Sequence, residues 1–259
     1  MEKISLKKKN GQIVPCIAEI PDNPAVAAII VHGFTSSKES PTVRMLLRRL
    51  PAAGIGAAAI DLPAHGTEEA REEELRIEAC KDSIAAAEEW IISRYPDADI
   101  CYFGSSFGAY VICLYISTRQ HKGRRAFFRS AAVNMPSLFI KQNPTEAERK
   151  LMEELEEKGF IQQSFDLGNP VIVTKAFVED LRDNNLFDRF APEKYGRHAI
   201  AMAHGTEDAT IDPAEARRFS EKYKIPVTFF EGEGHSLSND PATPEKVGTL
   251  AADWFLAQI

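Results

Sequence analysis

The run CYFGSSFGAY, residues 101–110, sets two serines side by side between two glycines. A serine hydroxyl is a weak nucleophile near neutral pH. It becomes a strong one when a base takes its proton, donors meet the oxyanion, and the backbone holds it exposed. The chain offers six histidines as bases: His32, His65, His121, His198, His204 and His235. His235 lies in EGEGHSLSN, a glycine-rich stretch between a strand-like run and the last helix-like run. His32 and His204 each end an apolar run and precede glycine, which suits loop shaping, and His65 follows another such run. His121 and His198 sit in polar surroundings and read as solvated surface. For an orienting acid, AMAHGTEDATIDPAEA supplies Glu207, Asp208 and Asp212. Asp212 precedes Pro213 and stands three before Glu215, the signature of a helix N-cap in a capping box. That leaves Asp208, preferred over Glu207, as the acid. Serine, histidine and aspartate placed this way are the parts of a proton relay for nucleophilic attack.

The elements around the serines choose between them. DICYFG reads as a strand and FGAYVICLYIST as a helix, with almost nothing between. A residue at the apex of so sharp a turn needs small neighbours two before and two after, because strand and helix crowd there. For Ser106 those neighbours are Gly104 and Gly108; for Ser105 they are Phe103 and Phe107. The register selects Ser106. The competing reading, a serine that merely caps the helix, does not require both glycines.

The remaining chain alternates strands and helices. ISLKKKNGQIVPCIAEI reads as a hairpin about Asn10-Gly11. AVAAIIVHGF and GIGAAAIDL are near-continuous apolar runs, as in central strands buried on both faces. TVRMLLRRL has helical period, and EEELRIEACKDSIAAAEEWIISRY predicts one long amphipathic helix. SAAVNM and HAIAMAHG predict two more strands; PAEARRFSEKY, PVTFFEG and TPEKVGTLAADWFLAQ complete the series. The expected fold is α/β, a mostly parallel central sheet with helices on both faces. The rhythm breaks from about Phe139 to Phe190, which reads as an insertion between two sheet strands. The expected division is a core of residues 1–138 and 191–259 with a lid at 139–190. Phe160, Phe165 and Phe177 within it are the candidate walls of an apolar substrate pocket.

Composition narrows the function. Among 259 residues, 31 Lys and Arg face 38 Asp and Glu, a formal charge of −7, with no basic stripe to neutralise phosphates. Nucleic acid is therefore not an expected partner. No run approaches a membrane span, and no apolar run follows the basic N-terminus as in a secretory leader. A cytoplasmic setting is the expectation. Cys16, Cys80, Cys101 and Cys113 form no CxxC pair and read as reduced, buried thiols. No metal-ligand cluster and no GxGxxG after the first parallel strand is present, so no metal and no other cofactor is expected.

In order and context, these motifs resemble the α/β-hydrolase superfamily. Ser106, Asp208 and His235 follow its chain order. VHGF resembles its oxyanion segment, DLPAHG the loop after the next strand, and HGTED its acid loop. The resemblance implies a serine hydrolase acting on a small-molecule ester through an acyl-enzyme. It also implies an oxyanion hole made by the backbone N–H groups of Phe34 and Phe107. VHGFTSS and the compact insertion look most like bacterial cinnamoyl (feruloyl) esterases. Those esterases meet the substrate's phenol with polar lid residues including a tyrosine, whereas VTKAFVEDL here offers Phe177. A monoacylglycerol lipase, thioesterase or aminopeptidase would use the same machinery. A non-catalytic binding protein of this fold is the reading from another class.

Overall fold

The computed structural model describes residues 1–66, 68–71, 73–141, 143–164, 169–194 and 199–257. Strands β1 (Glu2–Lys7) and β2 (Ile13–Glu19) form the expected hairpin, with Gly11 at φ 91° in its connection. They are followed by β3 (Val26–Val31), α1 (Pro41–Ala52), β4 (Ile55–Ile60), the short α2 (Glu68–Arg71) and α3 (Ile77–Arg94). Then come β5 (Asp99–Ser105), α4 (Phe107–Thr118) and β6 (Gly123–Arg129). Between β6 and the next sheet strand lie α5 (Pro136–Phe139), α6 (Glu146–Lys158), the antiparallel pair β7 (Phe160–Gln163) and β8 (Val171–Thr174), α7 (Lys175–Asp183) and α8 (Leu186–Arg189). The chain returns through β9 (Ala199–Gly205), α9 (Pro213–Tyr223), β10 (Val227–Phe230) and α10 (Thr243–Leu256).

Eight strands make one sheet in the order β1-β2-β4-β3-β5-β6-β9-β10, parallel from β4 onward. Strand side chains alternate faces, and both faces are covered. Ala28 and Ile30 of β3 pack with Leu46 and Leu50 of α1 and Val247 and Phe255 of α10. Ile29 and Val31 pack on the other face with Ile84 and Ile91 of α3 and the apolar α4. This double burial is why β3 and β4 read as unbroken apolar runs.

Two elements differ from expectation. The strand after α4 is GRRAFFR, not SAAVNM. At Ser130 the backbone turns to φ 47°, its N–H donates to Ala203 O, and the following residues bond back through turns. Arg125 and Arg129 are nonetheless buried in β6; Arg125 lies over the Trp254 ring and donates to Ala257 O. The long helix starts at Ile77, later than its periodicity suggests. Residues before it are held by distant partners: Glu73 by Lys8, Glu74 by Thr174, Arg76 by Asp180. Asp180 also accepts from Ile77 N at 3.0 Å, a cap supplied by another helix.

Candidate active site

Ser106 sits between β5 and α4 at φ 50°, ψ −111°, a conformation that L-residues rarely adopt. The glycines flanking it explain how the turn closes. A Cβ at Gly104 would lie 2.5 Å from Ala109 Cα, and one at Gly108 would lie 2.2 Å from Val31 O. Neither position has room for any side chain. Ser106 N donates to Arg129 O, and Ser106 O accepts from Ala109, Tyr110 and Ala132 N. The elbow is thus fixed from both neighbouring elements.

The structure brings Ser106, His235 and Asp208 together, although 129 residues separate the first two and 27 the last two. His235 Nε2 is 3.1 Å from Ser106 Oγ, and His235 Nδ1 is 2.8 Å from Asp208 Oδ2. The other Asp208 oxygen accepts from Thr210 N at 2.9 Å and Ile211 N at 2.8 Å. Burial pushes the Asp208 carboxyl up, but the His235 contact and the Ile211 N–H outweigh it and hold it below the ordinary carboxylate value. Asp208 is buried while Glu207 is exposed. Asp212 accepts from Ala214 N at the start of α9, as a cap should, but Glu215 pairs with Arg218 and leaves the box open. The histidine loop is tied down by Ser130 Oγ, which donates to His235 O.

The other histidines have structural work. His32 Nε2 accepts from Leu62 N, so Nδ1 carries the proton and donates to Gly33 O. His65 Nδ1 lies 2.7 Å from Pro63 O, and burial lowers this group to about 3. His204 Nε2 donates to Ile211 O and lies 3.3 Å from Asp208 Oδ2. His121 is half-buried against Tyr102 and Tyr115, not on a solvated surface. His198 falls outside the described residues.

The loop after β3 brings Phe34 to the wall of the cavity that holds Ser106, and Phe107 opens α4, where N–H groups have no acceptor within the helix. A brace on the Phe34 loop was not read from the sequence: Lys38 N and Nζ both donate to Asp61, at 2.8 and 2.6 Å, tying it to the loop after β4. The cavity holds about 560 Å³ and is lined by Ser106, His235, Phe34, Arg129, Met135 and Leu138 among others. The expected phenylalanine walls are placed elsewhere. Phe177 is fully buried, stacked with Phe34 and edge-on to Phe107 and Phe139. It fills one side of the site as packing. Phe160 is 46% exposed on β7 and is absent from the cavity wall. Phe165 lies outside the described residues. Among the described residues no cluster of three metal-ligating side chains occurs and no helix is long and apolar enough to cross a membrane.

The family model of the alpha/beta hydrolase family matches residues 28–247. A search of curated proteins gave no match. Among solved structures, a hydrolase from Agrobacterium vitis S4 described as putative superposes with a TM-score of 0.78 at 17% identity, covering 98% of each chain. Est1E from Butyrivibrio proteoclasticus, with ferulic acid bound, gives 0.77 at 17% identity over 98% of this chain and 100% of that one. XC6422 from Xanthomonas campestris, described as an a/b serine hydrolase without lid, gives 0.64 at 15% identity over 100% of this chain and 96% of that one. With the sheet order, the elbow at Ser106 and a match over most of its length, this chain belongs to the alpha/beta hydrolase family.

Proposed function

We propose that the protein is a serine hydrolase that cleaves carboxylic esters through an acyl-enzyme. The observation that carries this reading is the continuous relay from Ser106 Oγ through His235 to Asp208, at 3.1 and 2.8 Å. Ser106 Oγ attacks the acyl carbonyl carbon while His235 Nε2 takes its proton, which then passes to the departing alcohol. Water repeats the sequence on the acyl-enzyme and frees the acid. Asp208 orients the imidazole and stabilises its charged form. The N–H groups of Phe34 and Phe107 meet the oxyanion. The segment from 139 to 190 acts as a lid over this edge of the sheet, with its Asn169 in the cavity wall.

The fold shared with Est1E, a protein solved with the carboxylic acid ferulic acid bound, supports acyl-group chemistry at this site. The Phe177 position, packed under Phe34, gives no reason to expect a phenol as the group recognised here. A fluorophosphonate probe tests the reading: it should label Ser106, and Ser106→Ala should lose both labelling and turnover of 4-nitrophenyl acetate. Labelling that persists in that variant would refute the assignment.

A further inference from the structure

Arg129, at the carboxyl end of β6, is 7% exposed and lines the cavity that holds Ser106 and His235. Guanidinium groups at such depth are normally paired with a carboxylate, because an unpaired buried charge is costly. Here no Asp or Glu oxygen lies within ion-pair distance among the described residues. Among the described residues the Arg129 side chain donates to Ser105 Oγ, at 2.8 Å, and to Ser236 O. A guanidinium has five N–H donors, so three remain. The two acids whose charge acts on it are engaged: Asp208 by His235 and two backbone N–H groups, Glu233 by Asn239 N and Asp240 N. Burial lowers the Arg129 group to about 10 against the opposing pull of those two charges.

Among the described residues, no carboxylate in the cavity wall opposes the Arg129 charge. Although the chain carries a net charge of −7, no Asp or Glu side chain lines the cavity among the described residues. Its wall includes Pro41 and Thr42 at the N-terminus of α1 and Pro244 at that of α10, the positive ends of two helix dipoles. Ser36 and Ser37, which carry neutral hydroxyl groups, also belong to the wall. From this arrangement we infer that the preferred substrate is an ester bearing a second, anionic group, a carboxylate, which Arg129 receives inside the cavity. This rests on the serine-hydrolase reading above and names the substrate class for it. A carboxylate would supply the missing countercharge and accept the unused N–H donors in charge-assisted hydrogen bonds.

The test compares esters that differ by one charge. 4-Nitrophenyl hydrogen glutarate and its methyl ester place the difference on the acyl side. 4-Carboxyphenyl acetate and its methyl ester place it on the alcohol side. In wild-type protein at low salt, one pair should show kcat/KM about tenfold or more higher for the anionic member, the scale of one charged hydrogen bond. Arg129→Gln should erase that ratio and Arg129→Lys should keep part of it, whatever either does to the absolute rate. A wild-type ratio at or below one for both pairs overturns the inference and leaves the hydrolase reading intact. Equal ratios in wild type and Arg129→Gln overturn it too, leaving Arg129 as a tie between the Ser105 and Ser236 segments. If no ester is cleaved and the fluorophosphonate fails to label Ser106, the hydrolase reading falls. Glutarate then serves as the probe. Raising the melting temperature of wild type and not of Arg129→Gln supports the anion site; no shift in either overturns it.

Discussion

His204 Nε2 lies 3.3 Å from Asp208 Oδ2, the same oxygen that receives His235 Nδ1 at 2.8 Å. Donors therefore meet both oxygens of the carboxylate: two backbone N–H groups on one and His235 Nδ1 on the other, where the His204 ring, whose Nε2 proton goes to Ile211 O, lies alongside. An asparagine amide cannot satisfy them all. Its oxygen would be claimed by Thr210 N and Ile211 N, turning the NH₂ group toward His235. The ring would then have to accept at Nδ1 and carry its proton on Nε2, facing Ser106, the tautomer that cannot act as a base. Asp208→Asn should lower kcat steeply, up to about 10⁴-fold on the trypsin-type precedent. Asp212→Asn should change it little, since asparagine caps a helix about as well as aspartate. Steady-state kinetics on the two variants check the assignment; equal losses would mean the acid is misassigned.

The two adjacent serines should separate cleanly. Ser106→Ala removes the proposed nucleophile and should abolish ester hydrolysis with the fold intact. Ser105→Ala removes an acceptor of Arg129 and leaves a buried donor unmet. It should cost about 1–3 kcal/mol of stability and retain turnover far above Ser106→Ala. Activity assays with thermal melts distinguish them, and the reverse pattern of activity would refute the register.

Crowding at the elbow gives a prediction independent of chemistry. Gly108→Ala drives a methyl group toward Val31 O and His32 O, at 2.2 and 2.6 Å, both backbone atoms of the segment leading to Phe34. These atoms cannot swing aside as a flexible side chain would. The variant should lose about 3 kcal/mol or more, and what folds should be impaired in turnover. Gly54→Ala, where nothing lies within 4 Å but φ is 80°, should cost only backbone strain of about 1–2 kcal/mol. Denaturant unfolding of both variants orders them.

Why the elbow was legible and β6 was not follows from the same physics. Gly104, Ser106 and Gly108 carry a steric requirement that is local, and local requirements are written into neighbouring residues. GRRAFFR hides its strand because the signals for Arg125 and Arg129 lie far away, in Trp254, Ala257, Ser105 and Ser236. By composition alone, three arginines in seven residues argue against a buried strand. The start of α3 was hidden in the same way: Asp180, about a hundred residues on, decides where the helix begins. Phe177 was legible as apolar but not as packing, because its neighbours Phe34 and Phe139 meet it only in the folded chain.

Acid should destabilise the protein before its carboxylates titrate. Burial lowers His32, His65 and His204 below the ordinary histidine value, His65 to about 3. The folded state therefore keeps them neutral while the unfolded chain takes up protons below about pH 6.5. Their contribution to stability is complete above that pH and is lost as pH falls toward each folded value. Each such group adds a slope of up to about 1.4 kcal/mol per pH unit in that window. His65 Nε2 is buried with no hydrogen-bond partner among the described residues, so nothing there welcomes a proton. Unfolding free energy measured from pH 8 to 4 should fall below about 6.5, and His65→Phe should flatten the slope even if it lowers the plateau. An unchanged slope would show that His65 does not couple folding to protons.

The inserted segment should detach through one ion pair. Arg76 donates twice to Asp180, both at 2.8 Å, and Asp180 also caps α3 through Ile77 N. Tyr110 Oη donates to Asn184 O nearby, so α7 is fastened to α3 and α4 at neighbouring points. Burial raises the Asp180 carboxyl, but the Arg76 hydrogen bonds and the Ile77 N–H hold it below its ordinary value. Its stabilising contribution is therefore present above about pH 3.9 and is lost as pH falls through the lower folded value. Asp180→Asn keeps the shape and loses the charge, so at neutral pH it should loosen α7 and spare the sheet. Amide exchange should quicken across 175–183 and at the start of α3, with β3, β5 and Ser106 unaffected. If 139–190 is a lid, the same variant should change the ranking of large against small esters more than the rate with 4-nitrophenyl acetate. The small ester needs only Ser106, His235 and the oxyanion donors, whereas a larger one needs walls held in place. Equal loss across all esters would show that the segment supports the relay and does not select what reaches it.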